Sequence, residues 1–417
     1  MTIYCPEIED VVKANIRLKQ ILEKTPLMQN LNLSERYEAN IMLKREDLQV
    51  VRSYKIRGAY NKIRSLTDEE TANGVVCASA GNHAQGVAYS CNNLKIKGRI
   101  YMPVTTPNQK IKQVKMFGKQ YVEIILTGDT FDEANERAIV DSQARNMAFI
   151  PPFDDPKVIE GQATIGLEIL EQTHDKIDYL FIPVGGGGLI SGLGSYFKKL
   201  SPDTKIIGIE PAGAASLKTS LERNENTTLD EIDKFVDGAA VKRIGNLTFE
   251  IAKQVTDKVI TVPEGKVCST ILQLYNEEAI VVEPAGALAV SALDFFKDEI
   301  KGKNVICIIS GSNNDITRTE EIKERSLLYE GLKHYFLIRF AQRAGALREF
   351  VSDIMGPTDD IVFFEYSKKN SREKGPALIG IVVNEKSDFE QLITRMKEHK
   401  IAYDYLNDKP ELLTYLI

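Results

Sequence analysis

The sequence predicts an α/β protein of two lobes built on mostly parallel sheets, followed by a small ferredoxin-like βαββαβ unit. Three observations carry that expectation: apolar runs alternate with helical stretches between about residues 40 and 310, glycine- or amide-rich turns close several of those runs, and the pattern changes after about residue 326. Runs of Val, Ile, Leu and Phe without polar alternation suit strands covered by helices on both faces. Strands and helices in alternation argue for a parallel sheet with right-handed crossovers. At 417 residues the chain exceeds one ordinary core, so two or three packed units are expected.

Taken in order, strands are expected at 75–79, 99–103, 121–126, 179–184, 205–210, 259–262 and 304–310. Helices are expected between them, at 55–65, 83–93, 108–117, 131–145, 159–172 and 189–200. The loop holding Pro151, Pro152, Asp154, Asp155 and Pro156 interrupts the alternation and marks a boundary between lobes. This gives a smaller lobe of about 51–150 inside a domain of residues 1–325. In the second domain, 326–417, a strand at 334–339, a helix at 344–355, strands at 361–366 and 377–383, a helix at 387–399 and a strand at 402–406 give the βαββαβ order. The polar stretch SKKNSREKGP between the middle strands reads as a loop.

Composition narrows the function classes. Hydrophobic content of 43% and charged content of 27% belong to a folded globular chain. The net charge of -6 is spread without a basic block or a basic–aromatic stripe, so no nucleic-acid partner is expected. The apolar runs fall short of the ~20 residues that span a bilayer. The opening MTIYCPEIEDVVKANIRLKQ lacks the apolar segment of a signal peptide. A cytoplasmic protein without a membrane partner is therefore expected. Five cysteines (Cys5, Cys77, Cys91, Cys268 and Cys307) form no C-x-x-C, and four histidines form no H-E-x-x-H. Buried free thiols in a reducing compartment and no metal site are the expectation.

Chemistry concentrates at three turns after strands, where open α/β sheets bind their ligands. Gly185, Gly186, Gly187 and Gly188 follow the run YLFIPV and precede a helix. Such a run lets the backbone fold tightly and aim several N–H groups, with a helix N-terminus, at one anion. It is neither a G-x-G-x-x-G nor a G-x-x-x-x-G-K-[ST] sequence, so the phosphate is not that of a dinucleotide or a nucleoside triphosphate. Ser79-Ala80-Gly81-Asn82-His83 offers neutral donors for a carboxylate or phenolate oxygen, although Asn82 alone serves equally as a helix cap and His83 alone as a packing residue. Ser310-Gly311-Ser312-Asn313-Asn314 ends the run NVICIIS; its hydroxyl suits a ring nitrogen, or the segment is simply a polar turn. Lys55, in SYKIRGAY, falls in the first turn of a helix, against the positive end of the dipole, which favours the neutral amine. A lone lysine is more often a surface residue; a neutral amine is what condensation with an aldehyde requires.

Together SYKIRGAY, SAGNHAQG, PVGGGGL and SGSNN resemble, in order and separation, the motifs of the fold-type II pyridoxal-phosphate enzymes, specifically the threonine dehydratases (threonine ammonia-lyases). The resemblance covers essentially the whole chain. It implies pyridoxal 5'-phosphate bound covalently at Lys55, with Asn82 on its phenolic oxygen, Gly185, Gly186, Gly187, Gly188 and Leu189 around its phosphate, and Ser310 at its pyridine nitrogen. Ser79, Gly81 and His83 would line the site of the substrate carboxylate. Lys55 would remove the α-proton of L-threonine as general base, the β-hydroxyl would leave with a proton from a donor such as the cofactor phosphate, and 2-oxobutanoate and ammonia would result. L-serine is expected as a secondary substrate.

The C-terminal unit, with His334-Tyr335-Phe336 and Gln342-Arg343-Ala344-Gly345-Ala346-Leu347, resembles the single ACT-like domain of biosynthetic threonine dehydratases. That implies a first step of isoleucine biosynthesis under feedback control, with isoleucine as inhibitor, valine as a second candidate effector, and a homo-oligomer, by family habit a tetramer. A dimerisation module without a ligand is the plainer alternative. Relatives hold a cation beside a Glu on the strand matching KIIGIEP; Glu210 is present, but positions 211–216 bring no carboxylate, so no metal is expected. A serine-preferring dehydratase or racemase, and a catalytically silent amino-acid sensor, are the competing readings; Lys55 itself speaks against the sensor.

Overall fold

Unbroken apolar runs become central strands, and the helices that cover them place every candidate turn at a strand's carboxyl end. The computed structural model describes residues 4–366, 374–409 and 411–412. The chain divides into two compact units, 1–316 and 317–417.

Among its described residues the first unit carries β1 (Leu27–Gln29), β2 (Asn40–Arg45), β3 (Val75–Ala78), β4 (Gly98–Met102), β5 (Val122–Leu126), β6 (Ala148–Phe149), β7 (Tyr179–Pro183), β8 (Lys205–Pro211), β9 (Lys258–Val262) and β10 (Asn304–Ile309). They form two sheets, one ordered β1-β2-β10-β7-β8-β9 and the other β5-β4-β3-β6. Only the β1–β2 pairing is antiparallel; the remaining pairings are parallel. The larger sheet packs Leu180, Ile182, Ile206, Ile306 and Ile308 against Ile165 and Ile169 of helix Pro156–Gln172 and Ile190, Leu193 and Phe197 of helix Gly188–Leu200. The smaller sheet packs Val75, Cys77, Ile100 and Met102 against helices Lys55–Ser65 and Asn82–Leu94 through Ala59, Ile63, Val87, Ala88 and Cys91. All five cysteines are free, and all but Cys5 are buried. No helix among the described residues is long and apolar enough to cross a membrane.

The sequence pattern did not yield helices Ile8–Leu18, Asn246–Val255, Glu264–Glu278 and Thr319–Tyr329, and two further elements escape it for a physical reason. Helix Pro284–Ser291 is buried at every position, so it has no polar face and no helical period to reveal it. Strand β2 carries the buried Lys44, a charge that hides an otherwise apolar run.

In the second unit β11 (Lys333–Ala341), β12 (Asp360–Tyr366), β13 (Lys374–Val382) and β14 (Tyr403–Tyr405) form an antiparallel sheet ordered β12-β13-β11-β14. Phe336, Ile338, Ile379 and Ile381 pack against Leu392 and Met396 of helix Lys386–Glu398. The expected helix at 344–355 is only partly α-helical: Ala346–Glu349 passes into a π-helical turn at Phe350–Ile354, from which Phe350 and Ile354 both reach the core. A widened turn of this kind leaves no 3.6-residue signature to read. Most of the loop read in SKKNSREKGP lies outside the described residues.

Candidate active site

Lys55 is the first residue of helix Lys55–Ser65, which has no acidic residue in its first turn to neutralise the dipole. Its Nζ donates to the Pro152 carbonyl at 3.0 Å and lies 5.5 Å from the centre of the Tyr54 ring and 5.9 Å from that of Phe153. Among the described residues no carboxylate pairs with it. Burial pushes the ammonium down to about 8, while the charge of Glu283 opposes that fall. The loop of prolines read as a lobe boundary thus also supplies the carbonyl that holds this amine.

Strand β7 delivers the glycine run to the same place. Gly187 has φ of +86°, which an L side chain adopts only under strain. A Cβ on Gly186 would lie 2.1 Å from Phe153 Cδ1, so the backbone here can approach only because it is bare. Among the described residues the amide N–H groups of 185–189 donate to no carbonyl, while the Gly186 carbonyl accepts from Thr248 Oγ1 at 2.7 Å. Free N–H groups at the start of helix Gly188–Leu200 are of the kind that can hold an anion; of the run, Gly185 lines the cleft of Lys55, and Gly186, Gly187, Gly188 and Leu189 do not.

Asn82 opens helix Asn82–Leu94, yet its side chain does not cap that helix. Its Nδ2 donates to Glu283 Oε1 at 2.6 Å, and its Oδ1 accepts from Asn313 Nδ2 at 2.7 Å. The side chain is thus held at the wall of the cleft by Glu283 and Asn313 and does not serve as the helix cap. Ser310, buried beyond β10, accepts the Tyr54 N–H with its carbonyl at 3.1 Å. Lys55, Asn82, Gly185 and Ser310, distant in sequence, line one cleft with Tyr54 and Glu283 among its other walls.

The neighbouring turn is arranged differently. Ser79 Oγ accepts the Gly81 N–H at 3.2 Å, and a Cβ built on Gly81 would meet nothing within 4 Å, so open space lies beside it. His83 is buried and donates Nε2–H to the Ile150 carbonyl at 2.9 Å. Burial, with the charge of Lys55, drives its imidazolium down to about 3, so the ring is neutral. Ser79, Gly81 and His83 do not line the cleft of Lys55 itself.

Glu283 is the charged residue of the cleft that sequence reasoning did not find; Tyr54, Gly238, Ala239 and Ala285 also line it without having been singled out. It directly precedes Pro284, the first residue of helix Pro284–Ser291, and is 5% exposed. Burial raises its carboxyl to about 7, Asp237 adds to the rise, and the Asn82 donor opposes it. The signal was a single carboxylate in the otherwise apolar VVEPAGALAV. Glu210, the other buried carboxylate considered, is occupied by the Leu217 and Lys218 N–H groups at 2.7 and 2.8 Å, capping a helix rather than facing an opening.

These residues fit a phosphorylated aldehyde cofactor with a ring nitrogen: unengaged N–H groups for the phosphate, an amide donor, a buried amine of low basicity and a hydroxyl. Comparison with known proteins agrees. The model of the pyridoxal-phosphate dependent enzyme family matches residues 18–311, and that of the C-terminal regulatory domain of threonine dehydratase matches 324–416. A biosynthetic L-threonine dehydratase of Halalkalibacterium halodurans is 57% identical over 411 residues, 99% of each chain. One from Bacillus subtilis is 56% identical, over 99% of this chain and 97% of its own. Among solved structures, the processed form of threonine deaminase isoform 2 of Solanum lycopersicum matches with a TM-score of 0.73 and 39% identity, covering 78% of this chain and 91% of its own. Serine racemase of Dictyostelium discoideum matches at 0.68 and 32%, covering 74% and 98%.

Proposed function

The chain belongs to the pyridoxal-phosphate dependent enzymes and carries the C-terminal regulatory domain of threonine dehydratase; from that premise we propose that it converts L-threonine to 2-oxobutanoate and ammonia, with Lys55 as its catalytic base. Pyridoxal phosphate, when bound, supplies a conjugated electron sink for the charge that develops at the substrate α-carbon. The N–H groups of Gly185, Gly186, Gly187, Gly188 and Leu189 hold the phosphate, and Asn82 donates to the phenolic oxygen. Ser310 meets the ring nitrogen with a neutral hydroxyl; unlike a carboxylate it does not hold that nitrogen protonated, which suits elimination and discourages transamination. Ser79, Gly81 and His83 orient the substrate carboxylate toward the open space at Gly81. The Lys55 amine takes the α-proton onto Nζ, and its basicity near 8 lets it be neutral before the transfer and charged after it. The β-hydroxyl gains a proton, balancing the one taken from the α-carbon, and leaves as water; hydrolysis of the enamine product gives the keto acid and ammonia.

The observation that carries the reading is the convergence of Lys55, Asn82, Gly185 and Ser310 on one cleft, with no carboxylate among the described residues paired to the amine. Its test is turnover. Wild type with pyridoxal phosphate forms 2-oxobutanoate from L-threonine, and borohydride fixes the cofactor to Lys55. Lys55→Ala abolishes both; appreciable keto-acid formation by that variant would refute the assignment. L-serine serves as the secondary substrate, giving pyruvate, and D-serine formation in the same assay would indicate the racemase reading instead.

Residues 326–417, within the second unit, are the regulatory portion of this cytoplasmic enzyme, with isoleucine as inhibitor, valine as a candidate antagonist and a homotetramer as the working assembly. The match to the regulatory-domain family supports the role. A folded truncation before about residue 326 that keeps isoleucine inhibition unchanged would exclude it.

A further inference from the structure

The amide of Asn82 has a donor end and an acceptor end of nearly equal size, so a neighbour must decide which end meets the cleft. Asn313 is placed to do so. Its Nδ2 donates to the Val51 carbonyl at 2.9 Å and to Asn82 Oδ1 at 2.7 Å. A backbone carbonyl only accepts, so the Asn313 atom facing Val51 is the nitrogen. That same nitrogen requires an oxygen from Asn82. The Asn82 nitrogen is thereby turned to the other side, where one of its hydrogens goes to Glu283 Oε1 at 2.6 Å and the second is left for an oxygen in the cleft. Reversing Asn82 would set N–H against N–H at Asn313 and oxygen against oxygen at Glu283.

The anchor is firm. The Ser312 N–H donates to the Arg52 carbonyl at 2.9 Å, the Tyr54 N–H to the Ser310 carbonyl at 3.1 Å, and the Glu283 N–H to the Gly311 carbonyl at 3.2 Å. The turn that carries Ser310 is thus stitched to the segment before Lys55 and to the start of the helix behind Glu283.

We infer that Asn313 is a positioning residue: through Val51 on one side and Asn82 on the other, it fixes the Asn82 amide with its donor toward the cofactor. The inference rests on the reading of Asn82 as the contact to the phenolic oxygen. One turn then serves two ends of the cofactor ring, Ser310 directly and Asn313 through Asn82.

The test uses the holoenzyme and four variants, Asn313→Ala, Asn313→Asp, Asn82→Ala and the Asn82→Ala/Asn313→Ala double. Two properties are measured: the dissociation constant for pyridoxal phosphate after resolution of the enzyme, and the midpoint pH of the visible absorbance band of the bound cofactor. Loss of one oriented hydrogen bond predicts an affinity about 5- to 10-fold weaker for each single variant. The band midpoint moves in the same direction in all three single variants, a response that loss of packing alone would not give. In the Asn82→Ala background the Asn313 change alters either property less than about twofold, because the group it orients is gone. Asn313→Asp keeps the shape of the side chain and carries the test if the truncated variant does not fold. Multiplicative losses in the double variant, or Asn313 variants with an unmoved band while Asn82→Ala moves it, overturn the inference alone. A silent Asn82→Ala overturns the reading of Asn82, and the inference with it.

Discussion

Replacing Arg57 with Met should unfold this protein far more readily than its place away from the cleft suggests. Arg57, two residues after Lys55, is 1% exposed. Its Nε and Nη2 each donate to Glu46 at 2.8 Å, and its Nη1 and Nη2 donate to Glu168 at 2.7 and 2.9 Å. Lys44, fully buried, donates to Glu168 at 2.7 Å, and Thr25 Oγ1 donates to Glu46 at 2.5 Å. Two cations and two anions therefore balance in a buried interior that joins β2 and the helices Lys55–Ser65 and Pro156–Gln172. Burial alone would raise the Glu46 carboxyl; Arg57 outweighs it and holds the group below the usual carboxylate range. Met fills much of the volume but strands two carboxylates with one lysine between them. Breaking a buried pair by removing one partner costs about 3–5 kcal/mol. With a urea dependence of about 3 kcal/mol/M, the upper end of the range for small proteins, the midpoint falls by roughly 1–2 M. Far-UV circular dichroism in urea measures it. Adding Glu46→Gln should recover part of the loss, since one uncompensated charge is removed. A loss below about 1 kcal/mol, or no recovery in the double variant, would refute the network account.

Further predictions concern the cleft. In cofactor-free protein the reaction of Lys55 with an aldehyde should rise with pH and level off above about 8, the value to which burial lowers the amine; a rise continuing past pH 10 would mean an ordinary lysine. The sign for stability follows: the unfolded chain binds the proton more tightly, so this group's contribution grows as pH climbs from about 8 toward the ordinary lysine value of ~10.4 and is absent below. Glu283→Gln removes the charge that raises Lys55, so the same profile should shift to lower pH; an unmoved or higher midpoint would show that Glu283 does not act on the amine. Gly187→Ala should cost about 1–3 kcal/mol in thermal or urea unfolding from its positive φ, and its new Cβ would lie 2.7 Å from Ile244 Cδ1. The variant should also bind pyridoxal phosphate more weakly, and unchanged affinity would argue against a phosphate seat in the glycine run.

Much of this protein is legible in its sequence. The parallel strands β3, β4, β7, β8 and β10 announce themselves because both faces are covered and no polar alternation is needed. The motifs around Lys55, Asn82, the glycine run and Ser310 are legible because each satisfies its chemical need locally, in a few consecutive residues at the end of a strand or the start of a helix. Helix Pro284–Ser291 was not, since complete burial erases periodicity, and Glu283 at its head went unseen with it. Asn313 was visible as part of the turn after β10, but the role proposed for it was not, since it comes from Val51 and Asn82, 262 and 231 positions away along the chain.

What the sequence determined by itself is therefore the fold class and the cofactor, and it singled out the amine proposed to react. Only the tertiary structure decided that Lys55 lies among groups that lower its basicity, that the Asn82 side chain is held by Glu283 and Asn313 instead of capping its helix, and that Arg57 holds two buried carboxylates together. The physical reason is that basicity, amide orientation and charge balance are set by neighbours in space, at distances of a few ångströms that no spacing along the chain encodes.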